Sequence, residues 1–525
     1  MLWLLAGLLC AAPQAQAAPA RPNFVIILAD DMGFSDIGCY GGEIATPNID
    51  RLAAGGLRFT QFYNTARCWP TRSCIMSGYY AQQIRMDPPS GRLPDWATLL
   101  PRRLATAGYR SYHSGKWHVT GAPKPVADGG FARSYWFEDW DRYFTPSKHY
   151  IDDLLAPKVG TDDNYYATTA FADRAIDFLQ DHAANHSAQP FFLYLAFISP
   201  HFPLQVPPQD AARYRNAYRE GWDSIRQRRF ERMKNLGIIN CGLAPAEPSL
   251  SPRYFQPEVL QTLGPGENPH AVAWEQLSAA QREFQATKMS LHAAMVTRMD
   301  IEIGRLVDQL RAMNAMDDTL ILFLSDNGTD ATIMVRGDGH DRNAEPGSRQ
   351  SFLCLGPGWS TVGNTPFRRH KVWVHEGGIS TPLVAHWPRG IPARGELRRG
   401  VGHVIDFVPT LLDLAGAERR VPEGAPPLPG ISLVPEFERS GSLQHDCVFF
   451  HHEGNRALRK GDWKVVSARE DNDSWELYNL ANDRCEQVNL ATQQPAILQE
   501  MVELWLRREN EFRSQSAVST AKSPP

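Results

Sequence analysis

The chain has 525 residues, of which 43% are hydrophobic and 21% charged, an ordinary balance for a globular protein with a substantial core. Its 58 acidic and 54 basic residues leave a net charge of −4, so no global basic field exists to attract nucleic acid or an anionic membrane. Any anion site must be built locally, on one large domain with an appendage or on several average ones.

The first segment is not part of the fold. Residues 2–12 form an apolar run too short to span a bilayer, and Ala15-Gln16-Ala17 is a small-x-small cleavage pattern, so residues 1–17 are read as an export signal. Its leading region departs from the usual pattern in having no Lys or Arg. Leu9 stands before Cys10 where a lipoprotein signal has a small residue, which argues against a lipid anchor. No later segment has the apolar length of a membrane span. The expectation is an exported, soluble protein, periplasmic or extracellular, with no nucleic-acid partner and no membrane span.

The main body, assigned to residues 21–440, opens with a β-branched apolar run at 23–29 that ends in Asp30-Asp31. This reads as a buried, parallel strand with functional groups at its C-terminal end. Residues 47–56 read as a short helix stopped by glycine. Next comes Cys68-Trp69-Pro70-Thr71-Arg72, followed by Ser73-Cys74-Ile75-Met76-Ser77-Gly78. Alone, Cys68 is equally a small buried hydrophobe, the usual fate of a free cysteine. If a helix starts at residue 68, as 71–76 suggest, its N–H groups favour an anion there.

Apolar strands recur at 191–198, 319–325 and 383–386. Met295, Met299, Ile303, Leu306, Leu310 and Met313 form the stripe of an amphipathic helix packed on a sheet. Strands alternating with helices predict an α/β sandwich with a mostly parallel sheet, in which ligands sit at the carboxyl ends of strands. Asp30, Asp31 and Asp326 fall at such ends. Taken singly, Asp30-Asp31 and Asp326-Asn327-Gly328 read as turns. Together they offer only hard oxygen ligands, which suit calcium or magnesium rather than zinc.

A Pro- and Gly-rich connector at 422–430 precedes a change of character. Short strands at 448–451, 457–459, 463–467 and 475–478, then a helix at 495–511, predict a small α+β domain over 441–513, with an antiparallel sheet and one helix. Residues 514–525, polar and ending in proline, read as a disordered tail. Of the eight cysteines, Cys10 leaves with the signal and Cys68 belongs to the motif. The other six are too irregularly spaced for a disulfide framework.

The run from Cys68 to Arg72, with its trailing Ser77-Gly78, resembles the sulfatase signature, and the chain from 23 to 511 is similar to sulfatases of the arylsulfatase type, within the alkaline-phosphatase-like superfamily. The resemblance implies an alkaline-phosphatase-like α/β sandwich with a large, mostly parallel mixed sheet, plus the smaller C-terminal α+β domain. It implies that a maturation enzyme oxidises Cys68 to formylglycine (3-oxoalanine). It also implies one calcium ion held by Asp30, Asp31, Asp326, Asn327 and the modified residue 68. Lys116 and His118, in Gly115-Lys116-Trp117-His118, match family site residues. His201, in Ser199-Pro200-His201-Phe202-Pro203, matches another, and Lys371 matches a sulfate-binding lysine. Ile379 stands where many relatives have Arg, so any role of that Arg is absent.

The activity so implied is hydrolysis of a sulfate monoester to an alcohol or phenol and inorganic sulfate. Lys116, His201 and Lys371 bind the substrate, and Arg72 holds the diol and the helix start. Asp326 assists one hydroxyl of the formylglycine hydrate to attack sulfur, and His201 with Lys371 protonates the leaving oxygen. His118 then takes a proton from the second hydroxyl, which expels sulfate and restores the aldehyde. A phosphonate or phosphate ester hydrolase of the same superfamily stays open as an alternative, and a non-catalytic sulfated-glycan-binding protein as a remote one. Loops at 128–163, 221–270 and 330–367 are the expected source of specificity.

Overall fold

The computed structural model describes residues 21–161 and 164–517. Among these residues an eleven-stranded mixed sheet forms the body. Its centre is Asn23–Ala29, paired in parallel with Phe191–Ala196 on one side and Thr319–Ser325 on the other. Arg110–Gly115 and then Arg133–Phe137 continue the parallel order beyond Phe191–Ala196. On the opposite flank Ser380–His386 runs antiparallel to Thr319–Ser325, and Leu57–Tyr63 runs antiparallel to Ser380–His386.

Burial explains the unbroken apolar strands. In Asn23–Ala29, Val25, Ile27 and Ala29 join one core cluster, while Phe24, Ile26 and Leu28 join another on the opposite face. A strand covered on both faces has no reason to alternate apolar with polar residues. The long helix Ala279–Ala312 covers the first face with Met295, Met299, Ile303, Leu306 and Leu310. Its start is fixed by Ser278, whose hydroxyl accepts from the Gln281 N–H while the Gln281 side chain accepts from the Ser278 N–H.

A second sheet, antiparallel and four-stranded, follows the order Val448–His452, Asn455–Lys460, Trp463–Ser467, Trp475–Asn479. One face packs Phe449, Leu458, Val465 and Leu477 with Met501, Trp505 and Phe512 of the final helix. The other packs Val448, Phe450, Ala457, Val466 and Tyr478 with Tyr63, Val374 and Ile379 of the main body. That helix runs Pro495–Ala517, so residues 514–517, expected in a disordered tail, are helical. The rest of the tail and the expected export signal lie outside the described residues. Among the described residues no helix is long and apolar enough to cross a membrane. All seven described cysteines are free.

Candidate active site

One edge of the large sheet collects the candidate residues, and strand direction is the reason. Asn23–Ala29 runs into Asp30-Asp31, Thr319–Ser325 into Asp326-Asn327, Arg110–Gly115 into Lys116, and Phe191–Ala196 leads on to His201. These four strands are mutually parallel, so all four ends emerge together. Leu57–Tyr63 is antiparallel to an antiparallel strand, hence parallel to the centre, and delivers Cys68 to the same edge. Ser380–His386 runs the other way, so the residues before it, Lys371 among them, reach that edge instead.

Cys68 is the first residue of the helix Cys68–Ser77 and is buried. The helix N-terminus puts unpaired N–H groups beside it, a local positive field for an anion. Two sets of side chains each bring one ligand atom within 4.8 Å of one another: Asp30, Cys68 and Asp326, and Asp30, Asp31 and His201. Asn327 lies against them, its Nδ2 donating to Asp31 Oδ1 at 2.6 Å.

The cations are fixed by these carboxylates. Lys116 Nζ donates to Asp30 Oδ2 at 2.5 Å, and Lys371 Nζ sits 2.7 Å from Asp31 Oδ1 and 3.2 Å from Asp330 Oδ2. Arg72 donates from Nε at 3.0 Å and Nη2 at 2.8 Å to Asp326 Oδ2, and from Nη1 to the Lys116 carbonyl at 2.7 Å. It ties the Cys68 helix to the carboxylates of two other strands.

Backbone geometry makes the cluster possible. Gly115 has φ +120°, and a Cβ there would stand 1.9 Å from the Ala196 carbonyl oxygen, so only glycine fits before Lys116. Asp31 and His118 have positive φ, at 64° and 52°, conformations that cost roughly 1–3 kcal/mol each and concentrate at functional sites.

Protonation follows burial and neighbours. Burial raises the Asp30 carboxyl, but Lys116, His201 and Arg72 outweigh it and hold it well below the carboxylate range. Burial, with Asp30, Asp330 and Asp326 nearby, pushes Asp31 up to about 7 in spite of Lys371. Burial and the Asp30 charge also raise Asp326. Burial would discharge Lys371, yet Asp31 and Asp330 keep it charged. Burial lowers His118, helped by Lys116 and Arg72, and it lowers His201 although Asp30 opposes it, so both imidazoles are neutral.

The donor set fits a hard cation. Asp30 Oδ1, Asp31 Oδ2 and Asn327 Oδ1 are buried oxygens with no hydrogen-bond donor among the described residues. Three such orphans would cost roughly 3–9 kcal/mol, comparable with the whole net stability of a domain. Four buried carboxylates, Asp30, Asp31, Asp326 and Asp330, face three buried cations, Arg72, Lys116 and Lys371. With all four ionised, a divalent cation would turn that single negative excess positive, suited to a monoanionic ester.

Motif reading missed several neighbours. Asp330 partners Lys371 from within the same loop as Asp326. Trp140 lies with its ring centroid 4.7 Å from Lys116 Nζ and 4.0 Å from the His118 ring. Arg67, next to Cys68 in the chain, has its guanidinium carbon 5.0 Å from the Tyr254 ring centroid. Trp140 and Tyr254 come from loops expected to set specificity, but no spacing marks them out individually.

Comparison with known proteins agrees with this layout. Residues 22–417 match the family model described as Sulfatase, and residues 368–511 match the model described as N-sulphoglucosamine sulphohydrolase, C-terminal. An uncharacterized sulfatase of Schizosaccharomyces pombe is 32% identical, covering 94% of this chain and 95% of that one. An arylsulfatase of Klebsiella aerogenes is 30% identical over 77% of this chain and 88% of its own. Among solved structures, Ps i-CgsB in complex with k-i-k-neocarrahexaose superposes with a TM-score of 0.66 at 23% identity, covering 94% of each chain. The chain belongs to the sulfatase family and is a hydrolase of sulfate esters.

Proposed function

We propose that this sulfatase works through formylglycine made from Cys68 and through one calcium ion. The observation that carries the reading is the position of Cys68. It opens a helix, is buried, and meets Asp30 and Asp326 within ligand distance instead of packing among apolar side chains. Asp30, Asp31, Asp326 and Asn327 would hold the ion together with the modified residue 68. Calcium supplies charge that orients the sulfate and offsets the repulsion between the ester and the carboxylates.

The chain's own residues then divide the work. Lys116 and Lys371, both buried and fixed by carboxylates, neutralise the sulfate oxygens without reorganising, typically the largest catalytic contribution. Asp326, raised by burial and by Asp30, suits a proton acceptor beside residue 68. His118 is neutral, and its Nδ1 is buried without a partner among the described residues, so it can take the proton of the remaining hydroxyl of residue 68 as that oxygen forms the aldehyde and sulfate is expelled. His201, with Lys371, serves the leaving oxygen. Its Nδ1 lies 2.5 Å from the Phe202 carbonyl, which fixes the ring and turns Nε2 toward Asp31 at 3.6 Å. The substrate is a small or carbohydrate sulfate ester, met in the periplasmic or extracellular space to which the apolar leader of residues 1–17 would send the chain.

The test is mass spectrometry of the Cys68 peptide together with rates on sulfate, phosphate and phosphonate esters of one leaving group. Conversion of Cys68 to the aldehyde and a preference for sulfate are expected. A Cys68→Ser variant should be trapped as a sulfated protein or be nearly inactive, because a serine ester lacks the second hydroxyl that expels sulfate. Wild-type turnover by that variant, or an unmodified Cys68 in active enzyme, would refute the formylglycine route. Preference for the phosphonate would favour the sister activity.

A further inference from the structure

Arg67, the residue immediately before Cys68, has no task in the chemistry above. Its guanidinium carbon lies 4.9 Å from the Trp69 ring centroid and 5.0 Å from the Tyr254 ring centroid, so two aromatic side chains hold it. Among the described residues it forms no ion pair and its guanidinium makes no hydrogen bond, and Nε is buried without a partner. The acids near it are already engaged. Glu453 takes Arg253 at 3.4 Å and the Tyr254 hydroxyl, and Asp330 takes Lys371.

The rings that hold Arg67 continue into the site. Trp69 meets the His118 ring edge-on at 5.8 Å between centroids, and His118 in turn lies on Trp140, beneath which Lys116 sits. Trp69 Nε1 and His118 Nδ1 are likewise buried nitrogens without partners among the described residues. An uncommitted guanidinium, with two aromatic rings about it and no hydrogen bond on its nitrogens among the described residues, can offer its N–H groups to an anion. It lies beside the nucleophile residue yet is distinct from Arg72, Lys116 and Lys371, which are paired with Asp326, Asp30 and Asp31.

We propose that Arg67 determines specificity by receiving a second anionic group, a carboxylate or a further sulfate, carried by the same small molecule or sugar whose scissile sulfate lies at residue 68. This rests on the sulfatase reading of the site. Preferred substrates are then sulfate esters with two negative groups rather than simple aryl or alkyl sulfates. Trp69 and Tyr254 hold the guanidinium in place, so its rotamer entropy is lost before the substrate arrives.

The test compares phenyl sulfates of one series that bear a meta carboxylate, a meta sulfonate or a meta carboxamide. The sulfonate stands for a second sulfate that cannot itself be cleaved. The wild-type enzyme should favour at least one anionic member over the carboxamide by about tenfold to hundredfold in kcat/KM, mostly through KM, the range of a charge-assisted hydrogen bond. Which anion wins identifies the group. Arg67→Gln should abolish the preference while leaving the carboxamide rate within about twofold. Tyr254→Leu, which keeps the guanidinium but removes one side of its clamp, should lose part of it. Equal wild-type rates on all three compounds, or an Arg67→Gln loss equal on all three, would overturn the assignment. Turnover of phenyl phosphonates with none of sulfates would instead overturn the reading of the reaction, and the assignment with it.

Discussion

Arg72 places two hydrogen bonds on a single oxygen of Asp326, from Nε at 3.0 Å and Nη2 at 2.8 Å, with both side chains fully buried. Nη2 also lies 3.4 Å from Asp30 Oδ2. One guanidinium therefore holds two strand-end carboxylates in register with the helix that starts at Cys68. Lysine lacks the planar fork that sets two hydrogen bonds on Asp326 while a third reaches the Lys116 carbonyl. Arg72→Lys and Arg72→Ala should each lower kcat by about 10²–10³, the size of losing a preorganised electrostatic group. Arg72→Ala should also lower the melting temperature, because it leaves buried charge unpaired. An Arg72→Lys enzyme with near-wild-type kcat would show that the fork is not needed.

Metal removal should be visible without any substrate. Asp30 Oδ1, Asp31 Oδ2 and Asn327 Oδ1 have no donor among the described residues, so a bound cation would stabilise the folded chain directly. Chelation should lower the melting temperature, and calcium should restore it, with a gain of about 2.7 kcal/mol at a hundredfold excess over Kd. Magnesium should restore less, because it keeps its waters and demands octahedral geometry. Asp31→Asn should blunt the response to both. A melting temperature indifferent to chelator and to added calcium would refute the cation site.

What the sequence reveals follows from which physics is local. The strand 23–29 and its terminal aspartates are legible because a strand buried on both faces is apolar throughout and the change to Asp30 is abrupt. The helix 279–312 is legible through its stripe from Met295 to Leu310. The convergence of Cys68 and Lys371 is not, because it depends on Ser380–His386 running against its neighbours, and no residue in that strand encodes its direction. Arg72 belongs to a recognisable motif, yet its partner is 254 residues away, so its actual task is invisible until the sheet is assembled. Trp140 and Arg67 fail for a similar reason. A tryptophan in a loop and an arginine before a helix carry no periodic signal, and only their placement gives them meaning.

The C-terminal sheet is tied to the body by buried charge. Lys464 Nζ lies 2.9 Å from Glu376 Oε1 and 2.8 Å from Glu486 Oε1, all fully buried. Glu376, just downstream of Lys371, also accepts from Tyr63, Ser380 and Arg484. Lys464→Met leaves two buried carboxylates short of a cation and should cost about 3–5 kcal/mol in chemical denaturation. Adding Glu486→Gln removes one of those charges and should recover part of the loss. A double variant no more stable than the single one would mean that packing, not charge, sets the cost.

His113 makes the fold sensitive to acid. It lies on the strand Arg110–Gly115, is fully buried, meets Ser134 Oγ at 2.9 Å and stacks on Tyr194. Burial, with the nearby Arg72 charge, lowers its pKa from 6.5 to about 3. Below the higher value the unfolded chain binds a proton that the folded chain refuses, so stability falls as pH drops through this window. The loss approaches about 1.4 kcal/mol per pH unit, or roughly 2–3 kcal/mol between pH 6.5 and 4.5. His113→Gln removes the titrating group but leaves the other acids and bases in place. The wild type should therefore lose its stability advantage over the variant by that amount across the window. Other titrating groups affect both proteins alike and cancel in the difference. A gap between the two unfolding curves that stays constant from pH 7 to 4.5 would show that His113 does not govern the acid response.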